Sequence, residues 1–400
     1  MFKIGGATGL CVFGSLLALA CSGVDAGSDG SSIEAAQAPS ELVNAKGTKL
    51  KLVGKAKTLV ASAKDVGLQG SDTATATPSN DENQLAEDLR GLTLSDGYEY
   101  REAAPSLALA RKVIAARKLA NTGSVGNLGS QPADDSAGER EGRAVFGADG
   151  RVYKSNNTSF PYRTFTFSEV GCTGTIIGPG TMVTAAHCVY DTVSNAWLQV
   201  WDPTFPNGSG GVGANRWPRW APGVDGRDAT GAPYGWQQCY DVTIPGAYVS
   251  ETSQTSANAR LYDYAVLDFT TRCGVRPGDS TGWMGTWIYS EASIESLTVN
   301  IYGYPSTAAG ASRYHGSVPN KFGEIWGMSG SVYIDSPTTK LKTTIDTSGG
   351  QSGASYWVND TDWRVIGIHH GAEGTYNSAR RFDADVFNFF DANSPYPQQL

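Results

Sequence analysis

Histidine is scarce in this chain: four residues, His187, His315, His369 and His370, among 400. Imidazole chemistry at any site must therefore be assigned to one of very few positions. Lys/Arg clusters are also lacking and the net charge is −8, which argues against a nucleic-acid or anionic-membrane partner. No apolar run after the N-terminus is long enough to cross a bilayer. Aromatics are missing where a core would need them: from Cys21 to Arg143 there is no Phe or Trp, only Tyr98 and Tyr100, and all ten Trp lie from Trp197 onward. The first part of the chain is not expected to build a large core alone. Cysteine is limited to six residues.

The start of the chain is a short positive region, Met1 to Lys3, followed by apolar and small residues that end at Ala20-Cys21. This predicts a secretory signal peptide over 1–20. Small residues before Cys21 also suit a lipoprotein signal, so Cys21 is either a lipid anchor in the precursor or is lost with the leader. Cys11 leaves with the leader. Cys172, Cys188, Cys239 and Cys273 remain, and an even number in an exported protein predicts two disulfides. The expected localisation is extracellular, or membrane-anchored if Cys21 is acylated.

Residues 21–143 read as a polar linker and propeptide. They contain a Lys- and Val-rich segment, Thr48 to Ala63, and one strong helix, Ser106 to Leu119, with Asn121 and Gly123 as stops. From Ala144 to the C-terminus the texture changes. Short Val, Ile, Thr, Tyr and Phe runs alternate with Gly, Pro, Asn and Asp, as in Thr173 to Ile177, Tyr264 to Phe269, Val299 to Tyr302 and Trp363 to Ile368. Many short strands and turns predict an antiparallel all-β domain over 144–400. Asp383 to Asp391 reads as a C-terminal helix, and Trp197 to Tyr240 as long loops.

His187 has the most informative neighbourhood. An apolar strand leads from Cys172 into Thr184-Ala-Ala-His187-Cys188, and a bridge between the two cysteines would fix the turn that presents the ring. The string resembles the histidine motif of chymotrypsin-like serine proteases. The wider set Val145-Phe-Gly-Ala-Asp-Gly-Arg151, Tyr162-Arg163, Cys172-Thr-Gly, Ile177-Gly-Pro and Ala186-His-Cys-Val-Tyr-Asp191 is similar to the bacterial glutamyl endopeptidases of that group. The resemblance covers about residues 144–390. It implies two antiparallel β-barrels of the trypsin-like type with the site between them, and His187 as general base.

A base of this kind needs an acid to fix its tautomer. Asp263, in Arg260-Leu-Tyr-Asp-Tyr-Ala-Val-Leu-Asp268, sits at the mouth of an apolar strand and matches the family string; Asp268 reads as a surface residue. Two serines, Ser329 and Ser352, each lie in Gly-x-Ser-Gly, which exposes backbone N–H groups. The strand Trp363 to Gly371 follows Ser352 by about one hairpin, as the pocket strand follows the nucleophile in this fold. Asp346-Thr-Ser-Gly-Gly-Gln-Ser352-Gly resembles the family's serine motif. Ser352 is thus the expected nucleophile, Gly350 and Ser352 the oxyanion donors, and Ser329 a turn residue.

The resemblance further implies that Thr347 and His369 hold a substrate carboxylate, giving a serine endopeptidase that cleaves after Glu or Asp. Asp346 stands where trypsin-like enzymes bind Arg or Lys, and cleavage after those residues is the alternative. An inactive protease-scaffold binding protein is another. Trypsin-like enzymes carry Cys at the position of Ser348, and Asp at that of Gln351, which here cannot pair with a new N-terminus. Ala144 is the expected mature start, with cleavage after Glu141 as a rival. Cys239 and Cys273 bracket Asp263 and are expected to form the second disulfide. The chemistry calls for no metal or organic cofactor. Expected partners are protein or peptide substrates and the chain's own propeptide.

Overall fold

The computed structural model describes residues 38–44, 46–61, 68–69, 76–121, 143–144, 149–155, 157–206, 212–225, 232–305, 323–334, 339–360 and 362–395. The expected leader, Cys21, Glu141 and 145–148 lie outside them. Residues 38–400 form one compact unit.

Two antiparallel sheets dominate. In the first, Thr173–Gly178 turns through Pro179-Gly180 and pairs with Thr181–Thr184, which pairs with Ala265–Asp268. Ala265–Asp268 in turn pairs with Asp241–Ile244. Phe165, Phe167, Ile176, Met182, Val183, Val266 and Leu267 are buried in one core. The second sheet contains Val299–Gly303, Trp326–Gly330, Lys340–Thr343, Ser355–Asn359, Trp363–Glu373 and Tyr376–Arg381. Val299, Ile301, Leu341, Ile345, Tyr356, Val358, Ile366 and Ala379 fill a separate core. Each strand has the β-branched and aromatic content that suits a buried pleated surface. The predicted all-β, two-barrel reading therefore holds. The helix Ala384–Asn393 closes the chain; the Asp383 side chain accepts from the N–H groups of Asp385 and Val386. Its Phe389 and Phe390 pack edge-on against Tyr264, beside Asp263.

The segment ahead of the protease region is integrated into the same architecture. Glu41–Val43, Lys49–Lys55, Tyr98–Glu102 and Leu92–Ser95 extend the first sheet, and Leu92–Ser95 pairs with Asp241–Ile244. The hydroxyls of Thr93 and Thr243 meet at 2.9 Å across that junction. Helices Glu82–Asp88 and Leu107–Asn121 place Leu85, Ala86, Ala110 and Val113 in the first sheet's core. Gly246 allows this approach, because a Cβ there would stand 2.7 Å from the Arg90 carbonyl. Arg117 Nε donates to Asp385 Oδ1 at 2.7 Å, and the Tyr262 hydroxyl donates to Asp88 at 3.0 Å. A segment too poor in aromatics to make its own core shares its neighbour's.

Three expectations are corrected. The stretch read as loops contains an eleven-residue strand, Ala196–Pro206, paired with Val212–Arg216 and, in parallel, with Thr58–Val60. Its parallel partner comes from a distant part of the chain, which local patterning does not reveal. Ser329 is not in a turn: it lies in Trp326–Gly330, opposite Asn300, to which its hydroxyl donates. Asp268 is buried, and it accepts from the N–H groups of Thr270 and Thr271 to close the turn after its strand.

Candidate active site

His187 sits in the single turn Ala186–Cys188, at the end of Thr181–Thr184. Cys172 and Cys188 are joined, with 6.0 Å between their Cα atoms, which ties this turn to the neighbouring strand. Cys239 and Cys273 form the second bridge. Asp263 follows the short helix Ala257–Leu261 and is wholly buried. Its Oδ2 lies 2.7 Å from His187 Nδ1, and its Oδ1 accepts from the His187 backbone N–H at 2.9 Å. Burial alone would raise the Asp263 pKa. His187, and then His370, outweigh burial and hold the carboxyl well below the usual carboxylate range. An ionised carboxylate only accepts, so Nδ1 of His187 carries the proton and Nε2 bears the lone pair. Nε2 is buried with no hydrogen-bond partner among the described residues.

Ser352 lies in the turn that precedes Ser355–Asn359. Its carbonyl accepts from the Thr173 N–H at 2.8 Å, and Cys188 Sγ is 3.6 Å away from the same oxygen. Gly353 makes the approach feasible. Its φ is +80°, and a Cβ there would lie 2.3 Å from the Thr173 carbonyl. The Ser352 hydroxyl donates to the His370 carbonyl at 3.4 Å. The N–H groups of Gln351 and Gly353 are spent on the carbonyls of Ser348 and His369. Those of Gly350 and Ser352 make no such bond among the described residues, and Gly350 has the positive φ, +93°, that turns the chain there. Gln351 Oε1 accepts from the Ser348 N–H and from Arg151, and its Nε2 donates to the Trp326 carbonyl, so the side chain braces the turn from inside.

Thr347 and His369 are both buried. Thr347–Ser348 pairs with Arg143–Ala144, the segment of the expected cleavage point. His369 Nδ1 lies 3.1 Å from the Ser378 carbonyl and 3.3 Å from the Tyr356 hydroxyl, and burial pushes its pKa down to about 3. Asp346 is also buried; its Oδ2 accepts from the Gly150 N–H at 2.7 Å. Arg151 donates to the Ser348 hydroxyl and pairs with Asp149.

Sequence reasoning missed His370. Neighbours on a regular strand point to opposite faces, so the pattern does not bring a ring beside His369 into the same space. The register of Trp363–Glu373 against Tyr376–Arg381 shifts between His369 and Gly371, and this bulge turns both rings inward. His370 Nδ1 lies 3.2 Å from Asp263 Oδ2. Also missed was a buried ionic cluster below it. Glu373 pairs with Arg260 at 2.5 Å and Lys340 at 2.7 Å, and accepts from the Ser378 hydroxyl. Burial would raise the Glu373 pKa, but Arg260 and Lys340 bring it down to about 2. The cluster ties the helix before Asp263 to the strand of His369 and His370. Cys172, His187 and Cys188 bring metal-ligand atom types within 4.8 Å, but both sulfurs are committed to the disulfide.

Residues 172–368 match the family of trypsin-like peptidase domains. An extracellular metalloprotease of Bacillus subtilis is 28% identical over 61% of this chain and 68% of its own length. A glutamyl endopeptidase of Bacillus licheniformis is 29% identical over 62% of this chain and 67% of its own. The solved structure of a Glu endopeptidase in complex with MPD aligns at 25% identity with a TM-score of 0.44, over 62% of this chain and 97% of that one. The match over residues 172–368 and these relatives support a chymotrypsin-like serine endopeptidase.

Proposed function

We propose that the chain is the precursor of an exported endopeptidase that cleaves after Glu or Asp through Ser352, His187 and Asp263. One observation carries this reading: a buried carboxylate fixes the His187 tautomer and leaves Nε2 without a hydrogen-bond partner among the described residues. Ser352 Oγ attacks the scissile carbonyl. His187 Nε2 takes its proton and passes it to the leaving amine, while Asp263 stabilises the imidazolium. The N–H groups of Gly350 and Ser352 receive the oxyanion, and each such donor is worth about 3 kcal/mol of transition-state stabilisation. The acyl-enzyme is then released by water.

Support for an acidic preference comes from the pocket walls. The Thr347 hydroxyl and the His369 ring are groups that can donate to an anion. The Asp346 carboxylate, which a cationic side chain would need, already accepts from the Gly150 N–H. The curated relative from Bacillus licheniformis is a glutamyl endopeptidase. A leader-like start and a relative described as extracellular support export.

Residues 21–143 act in this reading as an inhibitory propeptide. Leu68–Gln69 pairs with Gly371-Ala372, immediately after His369 and His370. An extended peptide needs such a strand edge for its main-chain hydrogen bonds, so a segment seated there keeps substrate away. Ser352 donates to the His370 carbonyl, and His187 Nε2 has no partner among the described residues. Activation cuts near Ala144, and the new terminus then lies beside Thr347.

A fluorophosphonate probe and paired peptides test the proposal on the chain activated by cleavage. Labelling is expected at Ser352 and is lost in Ser352→Ala but kept in Ser329→Ala. Peptides with Glu before the scissile bond should turn over faster than their Arg counterparts. An Arg preference reversed by Asp346→Ala would establish the trypsin-like alternative. An activated chain that takes no label would be a binding protein on a protease scaffold.

A further inference from the structure

We propose that His370 is a positioning residue of the proton-transfer system, acting through Asp263; this rests on the reading of His187, Asp263 and Ser352 just given. Asp263 is shared between two imidazoles. Oδ2 lies 2.7 Å from His187 Nδ1 and 3.2 Å from His370 Nδ1. The His370 contact is at ion-pair distance without full hydrogen-bond alignment, so it is the weaker of the two.

The ionised carboxylate can only accept, which fixes Nδ1 of His370 as a donor. A second donor on Oδ2 resists rotation of the carboxylate out of the plane of His187. It also takes up part of the negative charge and so moderates the hold of Asp263 on the His187 proton. Burial favours the neutral form of His370, while Asp263 and Glu373 pull the other way and Arg260 opposes them. His369, His187 and the buried Tyr248 phenol also face this space. A neutral donor leaves the catalytic carboxylate ionised.

The main chain of His370 reports on the same centre, since its carbonyl holds the Ser352 hydroxyl. Two contacts fix the chain just before Asp263: Glu373, on the His370 strand, pairs with Arg260, and Arg380 Nε donates to the Leu261 carbonyl at 2.7 Å.

His370→Leu and His370→Asn, made in the full chain and assayed after activation, test the proposal. Leucine removes the donor; the asparagine amide N–H reaches nearly as far as Nδ1. Normalising rates to folded protein by near-UV circular dichroism separates chemistry from misfolding. The leucine variant should lose about tenfold in kcat, as expected for a hydrogen bond to a charged group, with KM within about twofold. The acid limb of its kcat/KM profile should move to higher pH, because Asp263 then holds the proton on its partner more tightly. The asparagine variant should recover most of the rate and return the limb. If leucine prevents folding, His370→Ala replaces it in the comparison. Full kcat without the donor, or equal losses in both variants with an unmoved acid limb, would overturn the proposal. Failure of the parent enzyme to label at Ser352 would instead remove the reading on which it rests.

Discussion

His369 has its Nδ1 between two oxygens, the Ser378 carbonyl and the Tyr356 hydroxyl. A carbonyl only accepts, so Nδ1 carries the proton and Nε2 is a lone pair. A substrate carboxylate can be met by Nε2 only if the ring takes up a proton on binding. Burial keeps the empty ring neutral down to about pH 3. Binding of a Glu side chain should therefore consume a proton, and affinity should fall as pH rises. For a Glu substrate, KM is expected to climb by up to roughly tenfold per pH unit above neutrality, the limit for one linked proton. An otherwise identical peptide with Gln should show no such rise. A flat KM for the Glu peptide between pH 6 and 9 would rule out proton-linked binding. At this scale His187, Asp263 and Ser352 stand out as candidates because each sits in a dense local string, and the structure brings His187 and Asp263 together. His370 and Glu373 do not, because a bulge and a contact with distant Arg260 and Lys340 bring them in.

The strand Tyr98–Glu102 carries a titrating group into the junction with the protease region. The Glu102 carboxyl is buried near Gly91, which abuts Thr243 and Asn393. Burial raises its pKa from 4.5 to about 7, against smaller pulls from the Gly91 backbone and Arg90. Unfolded, it loses its proton near its ordinary value; folded, it keeps the proton until about 7. Between these limits the folded state binds more protons, so precursor stability falls as pH rises, by up to about 3 kcal/mol. Thermal unfolding of the uncleaved chain from pH 4.5 to 7.5 should show that slope, and Glu102→Gln should flatten it. An identical slope in the variant would acquit Glu102. Elements with capping signals were the easiest to read from sequence. The helices Leu107–Asn121 and Ala384–Asn393 lie where the patterns put them, the second with Asp383 as its cap. The strand Ala196–Pro206 was hidden, since its Gly-, Pro- and Trp-rich surroundings suggest loop and its parallel partner, Thr58–Val60, lies far upstream.

For the whole molecule, the segment ahead of the protease region and the first sheet have one core. Leu85, Leu89, Leu92, Leu94 and Val113 are buried with Phe165 and Val266. Each such side chain contributes roughly 2 kcal/mol when removed from water. Cutting near Ala144 should therefore leave a tight two-chain complex. The fragments are expected to co-elute on size exclusion in native buffer and to separate in urea; spontaneous separation in native buffer would show that the shared core does not hold them. This sharing was legible only by halves: the lack of Phe and Trp said that 21–143 needs outside help, but no local signal named the surface that supplies it.

The pairing of Leu92–Ser95 with Asp241–Ile244 has a further consequence. Without the upstream strand, Asp241–Ile244 would present a bare row of N–H and C=O groups along its outer side. Such a border is a template for another chain, through which native sheets associate and aggregate. The upstream segment thus doubles as a selvedge. A protease stripped of it would keep its cleft open but become adhesive along one seam, so proteolytic clearing of that segment trades solubility for access.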